Sequence, residues 1–218
     1  MKSALAAGAD VVEIHGAHGY LIASFLSPVS NRRTDQYGGD RDGRMRLALE
    51  VTEAVRGVWP EHKPLFFRIS AVDGSDEGWS LDDSLVLVRA LKGLGVDVVD
   101  CSSGGIAGPA TAAAGAKRQP GFQVPFADRI RNEADMMTQA VGLITHPQQA
   151  EAILREGRAD LIAIGREALD DPHWPVHAAA MLGADPDYER WPKQYGWWLV
   201  RRAQSSEFYS PPGEGRIV

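Results

Sequence analysis

Short apolar runs recur along the chain and are separated by longer stretches that are polar or amphipathic. The runs are rich in β-branched and aromatic residues, and glycine lies close to the end of most of them. Runs of this kind predict buried strands of a parallel sheet. The five predicted strands cover residues 11–15, 65–69, 96–101, 138–142 and 160–164.

The stretches between these strands predict helices. Ser80 and Asp83 have the spacing of a capping box, so we expect a helix with Ser80 as its N-cap that ends near Gly93 or Gly95. Pro147 lies where the first turn of a helix accepts proline. Further helices are predicted over residues 44–58, 126–134, 147–156 and 171–183, whereas residues 21–39 and 106–124 are predicted to be irregular.

The repeated order of strand, loop and helix implies right-handed crossovers and a parallel sheet, as a barrel or as a doubly wound sheet. No Gly-x-Gly-x-x-Gly turn follows the first strand, and polar residues or glycines end every strand. We therefore predict an α/β fold, a (β/α)8 TIM barrel. Residues 1–182 are the predicted barrel part and residues 183–218 a C-terminal tail. Because a full barrel needs about 250 residues, the five units are expected to be its back part.

Composition and charge narrow the possible partners. The 218 residues are 44% hydrophobic and carry a formal net charge of −6, which disfavours nucleic acid and anionic membranes as partners. A single cysteine, Cys101, excludes an internal disulfide framework and a zinc–cysteine cluster. No apolar run is long enough to cross a bilayer, and the first residues do not resemble a secretory signal. We expect a soluble cytoplasmic enzyme.

His15 and His18 follow the first strand, on a loop that Gly16 and Gly19 make pliable. Because they lie three residues apart on a loop, both imidazoles can point into one pocket. Their N–H groups can then donate to one carbonyl or nitro oxygen. A structural histidine pair, or a metal site that also uses Glu13, remains the alternative.

Arg68 ends a buried strand, where a permanent cation requires an anion or an acceptor opposite. An ion pair with Asp73 or Asp100 is the structural alternative to a bound ligand.

Glycines end the last two predicted strands. Gly142, and Gly165 followed by Arg166, can let the backbone approach a phosphate that the guanidinium neutralises. Barrel enzymes often bind phosphate after these strands, although ordinary turn glycines would look the same.

Six segments, in order, resemble the Old Yellow Enzyme family of FMN-dependent ene-reductases. The resemblance covers residues 1 to about 200 and is closest to the bacterial branch of xenobiotic reductases and NADPH dehydrogenases. The matching segments are VEIHGAHGYL at 12–21, FLSP at 25–28, NRRTDQYGG at 31–39, RIS at 68–70, AVGLI at 140–144 and IGRE at 164–167.

The resemblance implies a (β/α)8 barrel with FMN at its mouth. The strands of this chain then correspond to the fourth to eighth strands, and the first three, with groups that flank the flavin ring, are expected to be absent. This chain has Asp42-Gly43-Arg44 where relatives usually have an Asn-Arg pair. Arg33 and Asp35 are expected to brace the loop before it.

Catalytic roles follow from the same resemblance. His15 and His18 are implied to hold the oxygen of the acceptor over the flavin, which polarises its conjugated double bond and stabilises the developing negative charge. Tyr20, in the motif His-x-x-His-x-Tyr, matches the proton donor of the family.

Cofactor-binding roles are implied in the same way. Arg68 is implied to face N1 and the C2 carbonyl of the flavin, where the reduced ring is negative. Gly142, Gly165 and Arg166 are implied to bind the FMN phosphate. In relatives a C-terminal Arg or Trp reaches into a neighbouring subunit, which predicts a homo-oligomer. Residues 195–198, above all Trp198, are the candidates here, although the two adjacent tryptophans could equally pack on the barrel wall.

These observations predict an NAD(P)H-dependent flavin oxidoreductase that works in two half-reactions. NADPH or NADH reduces FMN, and the reduced flavin passes hydride to an enone or a nitro compound. Two alternatives stay open: an inactive truncated fragment of such an enzyme, and a metal-dependent TIM-barrel hydrolase that uses His15 and His18.

Overall fold

The strands of this chain form one parallel sheet of five in the described residues. The computed structural model describes residues 2–106 and 118–205. Neighbouring strands along the chain are neighbours in the sheet, in the order β1-β2-β3-β4-β5, and all four pairs are parallel. The strands are β1 Val12–Gly16, β2 Leu65–Ser70, β3 Val98–Ser102, β4 Met137–Ala140 and β5 Leu161–Ile162. Each of the five predicted segments overlaps one of these strands, with bounds that differ by one or two residues at most ends.

Helices alternate with these strands in the described ranges. They are α1 Lys2–Ala6, α2 Leu21–Leu26, α3 Arg41–Arg56, α4 Leu81–Gly93, α5 Val124–Ala134, α6 Pro147–Arg155, α7 Glu167–Asp170, α8 Trp174–Met181 and α9 Lys193–Gln204. The sheet order does not reverse, as it would at the switch point of a doubly wound fold. The predicted fold class, an α/β TIM barrel present in part, is confirmed.

The prediction of an irregular loop over residues 21–39 was wrong at its start, where α2 forms. This helix is too short to show a clear helical period, and it is stabilised by tertiary burial of Ile22, Ala23 and Leu26. Helix α3 begins at Arg41, three residues before its predicted start, because the Asp40 carboxylate accepts a hydrogen bond from the Gly43 N–H at 2.8 Å.

Two further expectations can be compared with the described residues. Helix α9 lies in the segment predicted as a tail, whose residues 206–218 are outside the described ranges. Residues 107–117, in the segment 106–124 that was predicted to be irregular, also lie outside the described ranges.

The capping box at α4 is confirmed, since the side chains of Ser80 and Asp83 each accept from the backbone N–H of the other.

Apolar side chains cover one face of the central strands. In β2, Leu65, Phe67 and Ile69 are fully buried and alternate with Phe66 and Arg68 on the other face. Helix α5 contacts β3 and β4 and also contacts α4. The core therefore lies between the sheet and its helices, and the opposite face is left for polar residues.

The chain divides into two compact units. The described part of the first comprises residues 2–106, 118–144 and 152–163 and contains the whole sheet. The described part of the second comprises residues 145–151 and 164–205. Of the helices in these ranges, none combines the length and apolarity that crossing a bilayer requires.

Candidate active site

A row of polar side chains crosses the face of the sheet that lies opposite the apolar core. His15 pairs in register with Arg68, Arg68 with Asp100, and Asp100 with Gln139. Partners in a parallel register project to the same side of the sheet. Polar side chains in the middle of a sheet are costly to bury, so this row indicates a ligand-binding surface.

The predicted catalytic residues come together at the carboxyl end of β1. The rings of His15 and His18 have centroids 5.2 Å apart, and those of His15 and Tyr20 are 5.4 Å apart. Tyr20 is 65% exposed and directly precedes α2, so its hydroxyl is accessible to a ligand. Three rings that can each donate a hydrogen bond therefore line one position.

The backbone of His18 adopts an unusual conformation that neighbouring strands maintain. Its φ is +59°, in the left-handed region that non-glycine residues seldom occupy. The His18 N–H donates to Ser70 Oγ at 2.9 Å, and the Ser70 hydroxyl donates to the Gly104 carbonyl at 2.7 Å. This hydrogen-bonded connection joins the loop after β1 to the ends of β2 and β3.

Two glycines allow that loop to pack against the loop after β3. A Cβ atom on Gly19 would lie 2.2 Å from the Gly105 carbonyl oxygen, and one on Gly105 would lie 2.3 Å from the carbonyl carbon of His18. The backbones are therefore too close for any side chain at either position.

The imidazole of His18 also has a specific partner. Its Nε2 lies 2.6 Å from the Oγ of Ser102, a residue that is only 3% exposed at the end of β3. Sequence reasoning did not assign Ser70 or Ser102 to the site. Their position at the carboxyl ends of two predicted strands was the only available indication.

Arg68 forms the ion pair with Asp100 that was the structural alternative in the sequence. Its Nε lies 3.4 Å from Asp100 Oδ2, which also accepts from the Gln139 amide at 3.2 Å. Asp73, the other expected partner, instead accepts from Ser27 and Trp79. However, Arg68 Nε and Asp100 Oδ1 are both buried without a hydrogen-bond partner. The ion pair therefore leaves part of the guanidinium unsatisfied.

The site keeps its imidazoles neutral. Desolvation, followed by the positive charges of Arg68 and His15, lowers the pKa of His18 to about 4. Desolvation and Arg68 also lower the pKa of His15. Burial, and then Asp100, raise the pKa of Glu13 to about 6, against the opposing effect of Arg68. At neutral pH, each imidazole therefore presents one N–H donor and no charge.

We expect His18 to titrate with a midpoint near pH 4 in 15N-histidine NMR spectra. Arg68→Met should move the midpoint upward, because the guanidinium opposes protonation of the ring. Arg131→Met is the matched control, since Arg131 pairs with Asp160 and not with the histidines. A midpoint near the ordinary value of 6.5 in the unaltered protein would contradict the expected desolvation.

The predicted phosphate-binding residues differ in how strongly their positions require glycine. Gly142 has φ +112°, and a Cβ there would lie 3.0 Å from both the Gln123 amide nitrogen and the Phe122 ring. A Cβ on Gly165 would meet no atom within 4 Å. Gly142 follows β4 in the first unit, whereas Gly165 and Arg166 lie in the second, just before α7.

Other expectations from the sequence concern metal, the loop after α2 and the C-terminal aromatics. Within residues 2–106 and 118–205, no group of three or more His, Cys, Asp or Glu side chains is placed to hold a metal ion.

In the loop after α2, Arg33 Nε donates to Asp35 at 2.9 Å, as expected for residues that brace this loop. In α9, Trp198 is 64% exposed, and the guanidinium of Arg201 lies 3.6 Å from the ring centre of Trp197.

Known proteins match this chain over most of its length. Residues 1–184 match the model of the NADH:flavin oxidoreductase / NADH oxidase family. An NADPH dehydrogenase of Geobacillus sp. (strain WCH70) is 51% identical over 193 residues, which cover 87% of this chain and 55% of the relative. An NADPH dehydrogenase of Bacillus subtilis (strain 168) is 50% identical over 84% of this chain and 54% of the relative. The chain thus spans about half the length of the curated relatives that it matches.

Solved structures give the same result for the fold. A 2-naphthoyl-CoA reductase in complex with 2-naphthoyl-CoA matches 82% of this chain and 27% of its own, with a TM-score of 0.72 and 25% identity. Histamine dehydrogenase from Rhizobium sp. 4-9 matches 86% of this chain and 27% of its own, with a TM-score of 0.69 and 28% identity. The resemblance to Old Yellow Enzyme is confirmed, and the chain belongs to the NADH:flavin oxidoreductase / NADH oxidase family.

Proposed function

We propose that this chain binds FMN and takes part in an NAD(P)H-dependent reduction of activated alkenes, such as enones, or of nitro compounds. The observation that best supports this is the pair of imidazoles with ring centroids 5.2 Å apart, His15 on β1 beside Arg68 and His18 in the loop that follows. Membership of the family and the relatives named NADPH dehydrogenase support FMN as the cofactor and NADPH as the hydride donor.

The residues of the site fit a flavin. The Arg68 side chain is 27% exposed on this face, so its guanidinium could donate to an acceptor such as N1 or the C2 carbonyl of the flavin. Gly142 has a positive φ and no side chain, so a phosphate could approach its backbone at the end of β4 closely. Arg68 and Gly142 would hold FMN, which supplies hydride transfer when bound, and the family resemblance assigns its phosphate to Gly165 and Arg166 as well.

The substrate is held and protonated by residues of this chain. His15 and His18 each donate an N–H to the carbonyl or nitro oxygen of the substrate, and their donors become more effective as negative charge develops there. Because both rings are neutral, they stabilise this charge by hydrogen bonds without transferring a full proton. The Tyr20 hydroxyl holds the proton that is delivered to carbon.

A cytoplasmic location and a homo-oligomeric state stay predictions from the sequence.

FMN affinity tests this proposal directly. Arg68→Ala and Arg166→Ala are each expected to weaken FMN binding by about tenfold or more, because each removes a charge-assisted hydrogen bond to the cofactor. Binding is measured by quenching of flavin fluorescence during titration of the apoprotein.

The control is Arg131→Ala, which removes an arginine that pairs with Asp160. Its FMN affinity should equal that of the unaltered protein. Unchanged affinity in both Arg68→Ala and Arg166→Ala would contradict the assigned flavin site. A colourless protein that contains stoichiometric metal would favour the hydrolase alternative.

A further inference from the structure

The hydroxyl of Ser102 has a single hydrogen-bond partner among the described residues, Nε2 of His18 at 2.6 Å. Ser102 is 3% exposed and lies at the end of β3, so water has little access to it. A buried hydroxyl proton without an acceptor would be unfavourable. The only acceptor within these contacts is the lone pair of a ring nitrogen of His18.

The protonation state of His18 makes such a lone pair available. With its pKa lowered to about 4, the ring is neutral at pH 7 and has one protonated and one bare nitrogen. If Nε2 accepts from the Ser102 O–H, the proton of the ring lies on Nδ1. In the described part of the chain, Nδ1 has no hydrogen-bond partner, so its N–H is free to donate to a ligand.

The opposite tautomer would prevent that donation. With the proton on Nε2, the ring would donate to Ser102 Oγ, the hydroxyl proton would have no acceptor, and Nδ1 would present a lone pair. A lone pair repels the oxygen of a carbonyl or nitro group. The choice of tautomer therefore decides whether His18 can bind a substrate oxygen through Nδ1.

We propose that Ser102 is a positioning residue that holds His18 as the Nδ1–H tautomer, with this N–H directed to the substrate oxygen. Ser70 complements it, because it holds the backbone N–H of His18 while Ser102 holds the ring. The two serines are register partners at the ends of β2 and β3. This inference rests on the proposed function for the identity of the ligand, but the tautomer itself does not depend on any ligand.

The tautomer can be measured by 15N NMR of the histidine-labelled full chain, without FMN and at pH 7. A bare and a protonated ring nitrogen differ strongly in 15N chemical shift, and His18→Gln identifies the signals of this residue among the six histidines. We expect a protonated Nδ1 and a bare Nε2 for His18. Ser102→Ala should shift both nitrogens toward averaged values, and Ser102→Thr, which restores a hydroxyl, should restore the original pattern.

Affinity for a phenol in the FMN-loaded protein gives a second measurement. Ser102→Ala is expected to weaken binding of 4-hydroxybenzaldehyde by about threefold to tenfold, as for the loss of one neutral hydrogen bond, and Ser102→Thr should recover most of this affinity.

Ser103→Ala is the control for the NMR experiment. The Ser103 hydroxyl donates to Gln123 Oε1 at 2.9 Å, so its removal should leave the His18 signals unchanged.

A protonated Nε2 in the unaltered protein, or a tautomer that is the same in Ser102→Ala, would overturn the proposal. If the chain fails to bind FMN, the proposed function fails, but the NMR result still decides the role of Ser102. If Ser102→Ala does not fold, the unaltered protein and Ser102→Thr still report the tautomer.

Discussion

The double variant His15→Ala/His18→Ala is expected to bind FMN and to lose at least about a hundredfold in the rate of enone reduction. Both imidazoles are assigned to one substrate oxygen, so their joint removal leaves its developing charge without donors. FMN affinity should change little, because Arg68, Gly142 and the residues after β5 are assigned to the cofactor. Reoxidation of the reduced protein by an enone, followed by stopped-flow absorbance, measures this step.

A phenolic ligand separates binding from chemistry in the same variant. In the unaltered protein, 4-hydroxybenzaldehyde is expected to give a charge-transfer band with bound FMN, and the double variant should lose it. His62→Ala is the control, since His62 is exposed in the turn before β2, at the amino end of the parallel strands, whereas the imidazole pair lies at the carboxyl end of β1. Normal phenol binding by the double variant would contradict the assignment of the two histidines to the substrate oxygen.

Asp73→Ala is expected to lower the free energy of unfolding by about 3 kcal/mol or more. Asp73 is 2% exposed, and its carboxylate accepts from the Ser27 hydroxyl, the Ser75 N–H and the Trp79 N–H. Alanine would leave these three donors without their acceptor and would open a cavity below the loop after β2. Urea denaturation followed by circular dichroism gives the change in stability.

Two other substitutions test whether the carboxylate itself is responsible. Asp76→Ala changes an exposed residue in the same loop and should alter stability by less than about 0.5 kcal/mol. Asp73→Asn keeps one acceptor oxygen and should fall between Asp73→Ala and the unaltered protein. Equal stability of Asp73→Ala and Asp76→Ala would show that the observed hydrogen bonds contribute little.

The sequence was informative where a pattern is local. The β-branched and aromatic runs located all five strands, since a buried strand must be apolar on the side that faces its helices. The capping box was readable because Ser80 and Asp83 satisfy each other's backbone groups without help from distant residues. Polar residues at the strand ends also identified His15, His18 and Arg68 as a candidate site, because parallel strands bring their carboxyl ends to one edge.

Two of the three failures depend on tertiary contacts, and one is local. Helix α2 has only six residues, so burial of Ile22 and Leu26 stabilises it more than its own hydrogen bonds do. The start of α3 was missed although its cap is local, since the Asp40 carboxylate accepts from the N–H of Gly43 three residues later. Ser102 looked like an ordinary strand-end serine until its hydroxyl was found against an imidazole 84 residues away along the chain.

The strand positions, the capping box of α4 and the chemical identity of the site were therefore available from the residues alone, because each depends on neighbours within a few positions or on the general geometry of parallel sheets. The tertiary structure decided the interactions between segments that are far apart in the sequence. These are the incomplete ion pair of Arg68 with Asp100, the low pKa of His18 and the hydrogen bond from Ser102. Electrostatic and hydrogen-bond energies fall steeply with separation, and no linear pattern encodes separations of a few ångströms between strands.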